Sequence, residues 1–285
     1  MRILVTGANG MLARATIAYC KAIGDEVLAL TRQELDISDR TKVFSFFEKN
    51  EFDGVINCAA YTDVDGSETN IERCYAANAL GVENLALASL KHNRLFLTVS
   101  TDYVFDGQKA DFYTQRDTPN PQGVYGKAKL EGEIRARNAY ARSIIVRSGW
   151  IYGEGGTNFL SLLPKLLEQK KPLKAINDSF GTPTFASDLA RRMRELLELD
   201  LPLIFHVTNE GEGTSYAEFA KKVCRIKGLN ENLIEEVSAS NLKRPAPRPK
   251  NSKLKCLFSE RLGLEPLQNW EKALEQFVTQ FKASA

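Results

Sequence analysis

Tyr125 and Lys129 stand four residues apart in Tyr125-Gly-Lys-Ala-Lys129, a spacing that sets both side chains on one face of a helix. A free phenol titrates near ~10, too high for a matched proton donor at neutral pH. An ammonium ~4 Å away at an effective dielectric of ~20 contributes about 4 kcal/mol, or roughly three pK units. Lys129 is therefore expected to draw Tyr125 toward its working range. Such a pair suits delivery of a proton to an alkoxide while a hydride arrives at the carbon of a ketone. The chain has nine tyrosines and many lysines, so one pair at this spacing arises by chance. Its meaning comes from Ser100-Thr101 at the end of an expected strand, where the Thr101 hydroxyl would polarise the carbonyl.

A hydride needs a carrier, and the first residues supply a place for one. The strand-like run Ile3–Thr6 leads straight into Gly7-Ala8-Asn9-Gly10-Met11-Leu12-Ala13 and then a helix. Gly7 and Gly10 allow a tight turn that brings backbone N–H groups to a pyrophosphate at the helix N-terminus. Ala13 is small enough for the helix to pack closely on the strand. Two glycines alone are a weak signal, and the strand before and helix after them make it a dinucleotide-binding one. Strand 2 ends at Leu30-Thr31-Arg32. An acid there would accept from the ribose 2′-hydroxyl and repel a 2′-phosphate. Arg32 stands there instead, and its fork suits a phosphate, so NADPH is expected, with NADH usable. Asp36-Ile37 follow on the next loop, where the carboxylate could accept from an adenine amino group. Asn57-Cys58-Ala59-Ala60-Tyr61-Thr62 ends strand 3, and its alanines let a cofactor lie flat on the strand tip. Lys129 would also hold the nicotinamide ribose.

These residues must be positioned by alternating elements. Strands are expected at Ile3–Thr6, Val27–Leu30, Val55–Cys58, Leu95–Val99 and Ile144–Arg147, with helices near Met11–Ile23, Arg40–Lys49, Ile71–Lys91 and Gly126–Asn138. Strand–helix alternation with β-branched strands argues a parallel sheet covered on both faces. Right-handed crossovers make it a doubly wound, Rossmann-type α/β fold. Past Gly149 the rhythm changes. Residues 1–150 read as the dinucleotide-binding domain. Residues 151–285 read mainly as a smaller C-terminal substrate-binding lobe, with some segments returning to the first domain. Lys243-Arg-Pro-Ala-Pro-Arg-Pro-Lys-Asn251 is basic and must be extended. Trp150, just past a strand end, suits either the core or a substrate wall.

Composition narrows the partners. The 285 residues carry 38 basic and 36 acidic side chains, a net charge of +2, so neither nucleic acid nor membrane is an expected partner. No apolar run nears the ~18–20 residues of a membrane span, and the Met-Arg-Ile-Leu-Val-Thr-Gly start has no signal-peptide layout. The five cysteines lack C-x-x-C spacing, so neither metal nor disulfide framework is expected, and a reducing cytoplasm is the simplest setting. His92 and His206, the two histidines, read as structural.

Taken together, these residues resemble the extended short-chain dehydrogenase/reductase superfamily and, within it, the dTDP-4-dehydrorhamnose reductase family. The resemblance runs nearly end to end. It includes Leu35-Asp36-Ile37, Ala59–Asp65, Ser100–Phe105, Tyr125–Glu133, Arg147–Gly153, Asn158-Phe159, Gly181–Thr184, Asp188–Ala190 and His206–Asn209. It implies NAD(P)H-dependent reduction of the C4 ketone of a nucleotide 4-keto-6-deoxy sugar, in dTDP-rhamnose and cell-surface polysaccharide biosynthesis. Thr101, Tyr125 and Lys129 would be catalytic. Thr101, Asp102 and Trp150 would touch the sugar nucleotide. Gly10–Leu12, Thr31-Arg32, Asp36-Ile37 and Ala60–Thr62 would line the cofactor, and a homodimer is one possible assembly. Three departures stand out: Ala13 for a third glycine, Ser148-Gly149 for Thr-Ser before Trp150, and the basic loop near Arg244–Lys250. The Ser148-Gly149 pair is expected to loosen the substrate side. Dehydration is disfavoured because Asp102 is followed by Tyr103 rather than by a second carboxylate. Another nucleotide-sugar reductase or epimerase is one alternative. A non-catalytic subunit like the regulatory one of methionine adenosyltransferase is the other.

Overall fold

Apolar runs buried on both faces build the centre of the molecule, because a strand covered on each side has no place for a polar residue. The computed structural model describes residues 1–283. Its first half runs β1 (Arg2–Thr6), α1 (Met11–Ala22), β2 (Glu26–Leu30), α2 (Arg40–Lys49), β3 (Gly54–Asn57), α3 (Val64–Ser67), α4 (Ile71–Tyr75), α5 (Gly81–Lys91), β4 (Leu95–Thr101), α6 (Val124–Ala139) and β5 (Ile144–Ser148). Beyond these lie β6 (Ile151–Tyr152), α7 (Phe159–Glu168), β7 (Leu173–Ile176), β8 (Phe180–Gly181), β9 (Thr184–Phe185) and α8 (Ala186–Leu199). The chain then continues through β10 (Ile204–His206), β11 (Thr214–Ser215), α9 (Tyr216–Lys227), β12 (Ile234–Val237) and α10 (Trp270–Ala283).

Six strands form one sheet in the order β10-β5-β4-β3-β1-β2, with every neighbouring pair parallel. This is the expected Rossmann-type α/β sheet. Side chains alternate between its faces. Ile3, Val5, Ile56, Leu97 and Val146 pack with Ala13 of α1 and with Leu189 and Met193 of α8. Leu4, Val55, Phe96 and Ile145 face the other way, onto Phe47, Leu85 and Ala136. The chain winds outward from β1 to β2 and then in the opposite sense from β3. The carboxyl ends of β1 and β3 therefore flank the switch point where open α/β sheets bind ligands.

The chain after Trp150 contributes to both bodies. Helix α8 and strand β10 join the large sheet. Tyr152, Leu163, Phe185, Phe219, Leu274 and Phe277 instead centre a separate core among α7, α9 and α10. No helix among the described residues is long and apolar enough to cross a membrane.

The helical stretch expected over Ile71–Lys91 is interrupted by a π turn at Ala76–Leu80. The widened turn presents Asn78, which accepts from Tyr61 N at 2.8 Å and donates to Tyr61 O at 3.0 Å. A helix interruption of this kind commonly serves a site, and here it fixes the segment after β3. Helix α6 is held at its start by the Glu68 carboxylate, which accepts from Val124 N at 2.8 Å.

Asn57 ties the switch point together. Its Oδ1 accepts from Thr6 Oγ1 at 2.6 Å and from Ala59 N at 3.1 Å, while its Nδ2 donates to Thr98 Oγ1 at 2.9 Å. Asn57→Ala leaves these buried groups without partners and should lower stability by about 2–4 kcal/mol. Chemical denaturation at neutral pH measures this, and a change within experimental error would refute the bracing role.

Candidate active site

A cleft of about 820 Å³ opens at the carboxyl ends of β1, β3, β4 and β5, between the sheet and the lobe. Its floor begins at the turn after β1. Gly7 takes φ +71°, and a Cβ there would stand 2.8 Å from Ala59 Cα. A left-handed conformation and so close a backbone approach both require glycine. Gly10 N closes the turn onto Gly7 O at 2.8 Å, and Asn9, Gly10, Met11 and Leu12 face the cleft at the N-terminus of α1. Ala59, Ala60 and Thr62 continue the same wall. A narrow backbone cradle at a helix N-terminus fits the pyrophosphate of a dinucleotide.

The other expected cofactor residues lie apart from the cleft wall. Ile37 is 3 % exposed in the core beside α5. It contributes its backbone, whose carbonyl accepts from Asn84 Nδ2 at 3.0 Å. The Asp36 carboxylate is engaged locally: Oδ1 accepts from Ser38 N at 3.0 Å and Oδ2 from Arg32 Nε at 3.2 Å. Arg32 is otherwise exposed. Thr31 binds the Glu34 carboxylate through its N–H at 2.8 Å and its hydroxyl at 2.7 Å. The sequence reading missed this acid, two residues past Arg32, because its return to the strand end is set by the turn. Tyr61 has its backbone held by Asn78 and its ring beneath the Arg73 guanidinium at 5.6 Å.

Tyr125, Lys129 and Thr101 do converge on the cleft. Tyr125 sits in the first turn of α6, its ring edge-on to Tyr103 at 5.8 Å. Lys129 is 5 % exposed and donates to Val99 O at 2.6 Å. Here the structure departs from expectation. Burial raises the Tyr125 phenol above its ordinary value, while the hydrogen bond with Thr101 lowers it and the Asp102 charge raises it. The ammonium that was to depress it faces the Val99 carbonyl. Lys129 is itself pulled down to about 8 by desolvation, against the opposing charge of Glu133. The phenol therefore keeps its proton at neutral pH, which is the state a donor requires.

Asp102 is 2 % exposed. Its Oδ1 accepts from Thr101 Oγ1 at 3.0 Å, and its buried Oδ2 has no partner among the described residues. Burial pushes the carboxyl up to about 6, against the opposing influence of the nearby Ser252 and Thr101 hydroxyls. The glycine at 149 has a use the sequence did not suggest: a Cβ there would stand 2.4 Å from the Asp102 carboxylate. Asp102 fills the space, so the substrate side is close-packed at this point rather than loosened.

Trp150 takes φ +50°, a costly conformation for a bulky residue. Thr184 holds it there, donating from N to Trp150 O at 3.1 Å and from Oγ1 to Gly149 O at 2.8 Å. The turn throws the indole toward the lobe, where it stacks on Tyr216 at 3.8 Å and 22°. Trp150 thus lines the cleft and packs on the lobe core at once. Tyr216, Lys174 and Arg244 complete the lobe wall; of these the sequence pointed only to Arg244, as part of the basic loop. The charge run over 243–250 was the available signal for Arg244. Its neighbour Arg248 straps the extended segment to α3 by a two-pronged contact with Asp65, 2.9 Å on each side. His206 is buried, with Nδ1 3.1 Å from Tyr113 O, and desolvation lowers its imidazole to about 3.

Comparison with known proteins adds a family and relatives. The family model described as RmlD substrate binding domain matches residues 1–283. The spore coat polysaccharide biosynthesis protein SpsK of Bacillus subtilis is 36% identical, over 97% of this chain and 96% of its own. A dTDP-4-dehydrorhamnose reductase of Aggregatibacter actinomycetemcomitans is 35% identical, over 96% of this chain and 97% of its own. A crystal structure of dTDP-4-dehydrorhamnose reductase from Bacillus anthracis in complex with NADP superposes with a TM-score of 0.93 at 30% identity, covering 98% of this chain and 99% of that one.

Asp102 carries a pH signature. Its carboxyl is raised in the folded state from 3.8 to about 6, so its stabilisation is fully present below pH 3.8 and is lost as pH rises through 6. The loss amounts to roughly 3 kcal/mol. Asp102→Asn should therefore gain stability relative to the wild type between pH 4 and pH 7, read as the difference between their denaturation free energies. A difference that stays flat across that window would contradict a buried carboxyl at this position.

Proposed function

The chain belongs to the dTDP-4-dehydrorhamnose reductase family described by the RmlD substrate binding domain, and from that premise we propose that it reduces the C4 ketone of dTDP-4-dehydrorhamnose (dTDP-6-deoxy-L-lyxo-4-hexulose) to give dTDP-L-rhamnose, with NADPH. The observation that carries the reading is the meeting of Tyr125, Thr101 and Lys129 in a cleft that begins at the Gly7–Ala13 turn. The same constellation is compatible with a regulatory subunit, and turnover of a keto sugar separates the two readings. The free thiols of all five cysteines support a reducing, cytoplasmic setting.

The backbone N–H groups of Gly10–Leu12 would hold the pyrophosphate, Ala59–Thr62 would flank the cofactor, and Lys129 would hold the nicotinamide ribose. When bound, the dinucleotide supplies the hydride. Tyr125, protonated because its burial disfavours a phenolate, gives its proton to the C4 oxygen as that oxygen takes up charge. Thr101 polarises the same oxygen, its hydroxyl turning from Asp102 Oδ1 to the carbonyl. Asp102 and the Trp150 indole, which both line the cleft, would orient the sugar. Arg32, whose exposed pairing with Asp36 is weak, turns readily to a 2′-phosphate.

Three variants test these roles. Tyr125→Phe keeps the ring and should lower kcat by about 10²–10⁴-fold with NADPH binding intact, and near wild-type turnover would sink the assignment. Thr101→Val should cost less than Tyr125→Phe, since it removes polarisation and leaves the donor. Arg32→Ala should weaken NADPH by at least about tenfold and leave NADH nearly unchanged, as expected for a charge-assisted contact. Equal weakening of the two cofactors would remove the phosphate from its role.

A further inference from the structure

Glu133 lies on the face of α6 that carries Tyr125 and Lys129, one turn beyond the lysine. The mechanism above makes no use of it. Its side chain is 4 % exposed. It accepts from Ser100 Oγ and takes the Arg147 guanidinium on both oxygens, from Nε at 2.9 Å and Nη2 at 2.7 Å. Ser100 precedes Thr101 on β4, and Arg147 precedes Ser148, the residue paired with Thr101 across the sheet. A buried ion pair is seldom worth more to stability than an apolar pair of the same volume, so stability alone does not account for placing it here.

Lys129 supplies the missing reason, because it is a second buried cation, one helical turn from this carboxylate on the same face of α6. The groups acting on it are Glu133 from its own helix, Cys74 from α4 and Cys58 from the end of β3. Burial raises both thiols, Cys58 to about 12, so neither carries charge at neutral pH. Arg147 on β5 faces Glu133 and packs over Phe105 at 5.2 Å. Beyond it the buried His206 is neutral. Glu133 is thus the charged group that favours the ammonium form of Lys129.

We propose that Glu133 is a positioning residue of the site, the counter-charge for the buried Lys129 ammonium and the brace for the strand end that carries Thr101. The importance of that ammonium rests on the reductase reading, whereas its charge state is measured without substrate or cofactor.

The test is a pH titration of the lysine side-chain NMR signals in the full-length protein, with Lys129 assigned by its absence in Lys129→Met. Wild type should show a midpoint near 8. Glu133→Gln keeps the size of the side chain and removes its charge, so the midpoint should fall by about one pH unit or more, a roughly tenfold change in the proton equilibrium. NADPH affinity should then be nearly unchanged at pH 6 and weakened about fivefold or more at pH 8. Because Glu133→Gln strands Arg147, the double variant Glu133→Leu with Arg147→Met removes both partners and should also titrate below wild type. An unchanged Lys129 midpoint in a folded variant overturns the proposal, as does an equal loss of NADPH affinity at every pH. A wild type that reduces no keto sugar refutes the reductase reading and leaves the titration result standing.

Discussion

The side-chain amide of Asn57, 1 % exposed, reaches Thr6 on one neighbouring strand and Thr98 on the other. One slip in pairing would strand these groups and turn every side chain of a strand to the wrong face. With the register fixed, the turn after β1, the alanines after β3, Ser100–Asp102 and Ser148–Trp150 all emerge along one edge of the sheet. Helix α6 then needs a single correct rotation to bring Tyr125 and Lys129 to the same edge. Glu68 at its N-terminus and the Glu133–Arg147 pair farther along supply that rotation.

The environment made by this packing sets the chemistry. Dry surroundings disfavour every charge, raising the Tyr125 phenol and the Asp102 carboxyl and lowering the Lys129 ammonium. Two groups are thereby drawn toward their neutral, hydrogen-bond-donating forms. The third is drawn toward neutrality too, while in the proposed mechanism its charge is what would hold a ribose hydroxyl. The site therefore combines dryness for the donor with a nearby carboxylate for the lysine.

Much of this was legible in the chain because it is local. The strand–helix alternation gave five of the six sheet strands, and Gly7 with Gly10 marked the phosphate turn. The Tyr125–Lys129 spacing placed both residues on one helix face. What escaped was long-range. Ile204–His206 is a three-residue strand whose partner, β5, lies more than fifty residues earlier. The resemblance put Ile37 at the cofactor, and the structure turns its side chain inward beneath α5, which leaves its backbone to face that side. Gly149 looked permissive until Asp102 was seen to fill its space. Tyr216 and Arg244 belong to a lobe whose walls are assembled from distant segments, and no spacing in the sequence joins them to Trp150. The direction of the Tyr125 shift was misjudged for a related reason: helix spacing fixes which residues share a face, while the Val99 carbonyl fixes where the ammonium points.

The account rests on hydride delivery to a sugar ketone in this cleft. The most direct measurement is isotopic: the protein is incubated with NADPH deuterated at the transferring position and with dTDP-4-dehydrorhamnose, and the sugar product is analysed by NMR and mass spectrometry. The account predicts one deuterium at C4 of dTDP-L-rhamnose for each NADPH oxidised. NADPH that binds without being oxidised, or product with no deuterium at C4, would contradict it.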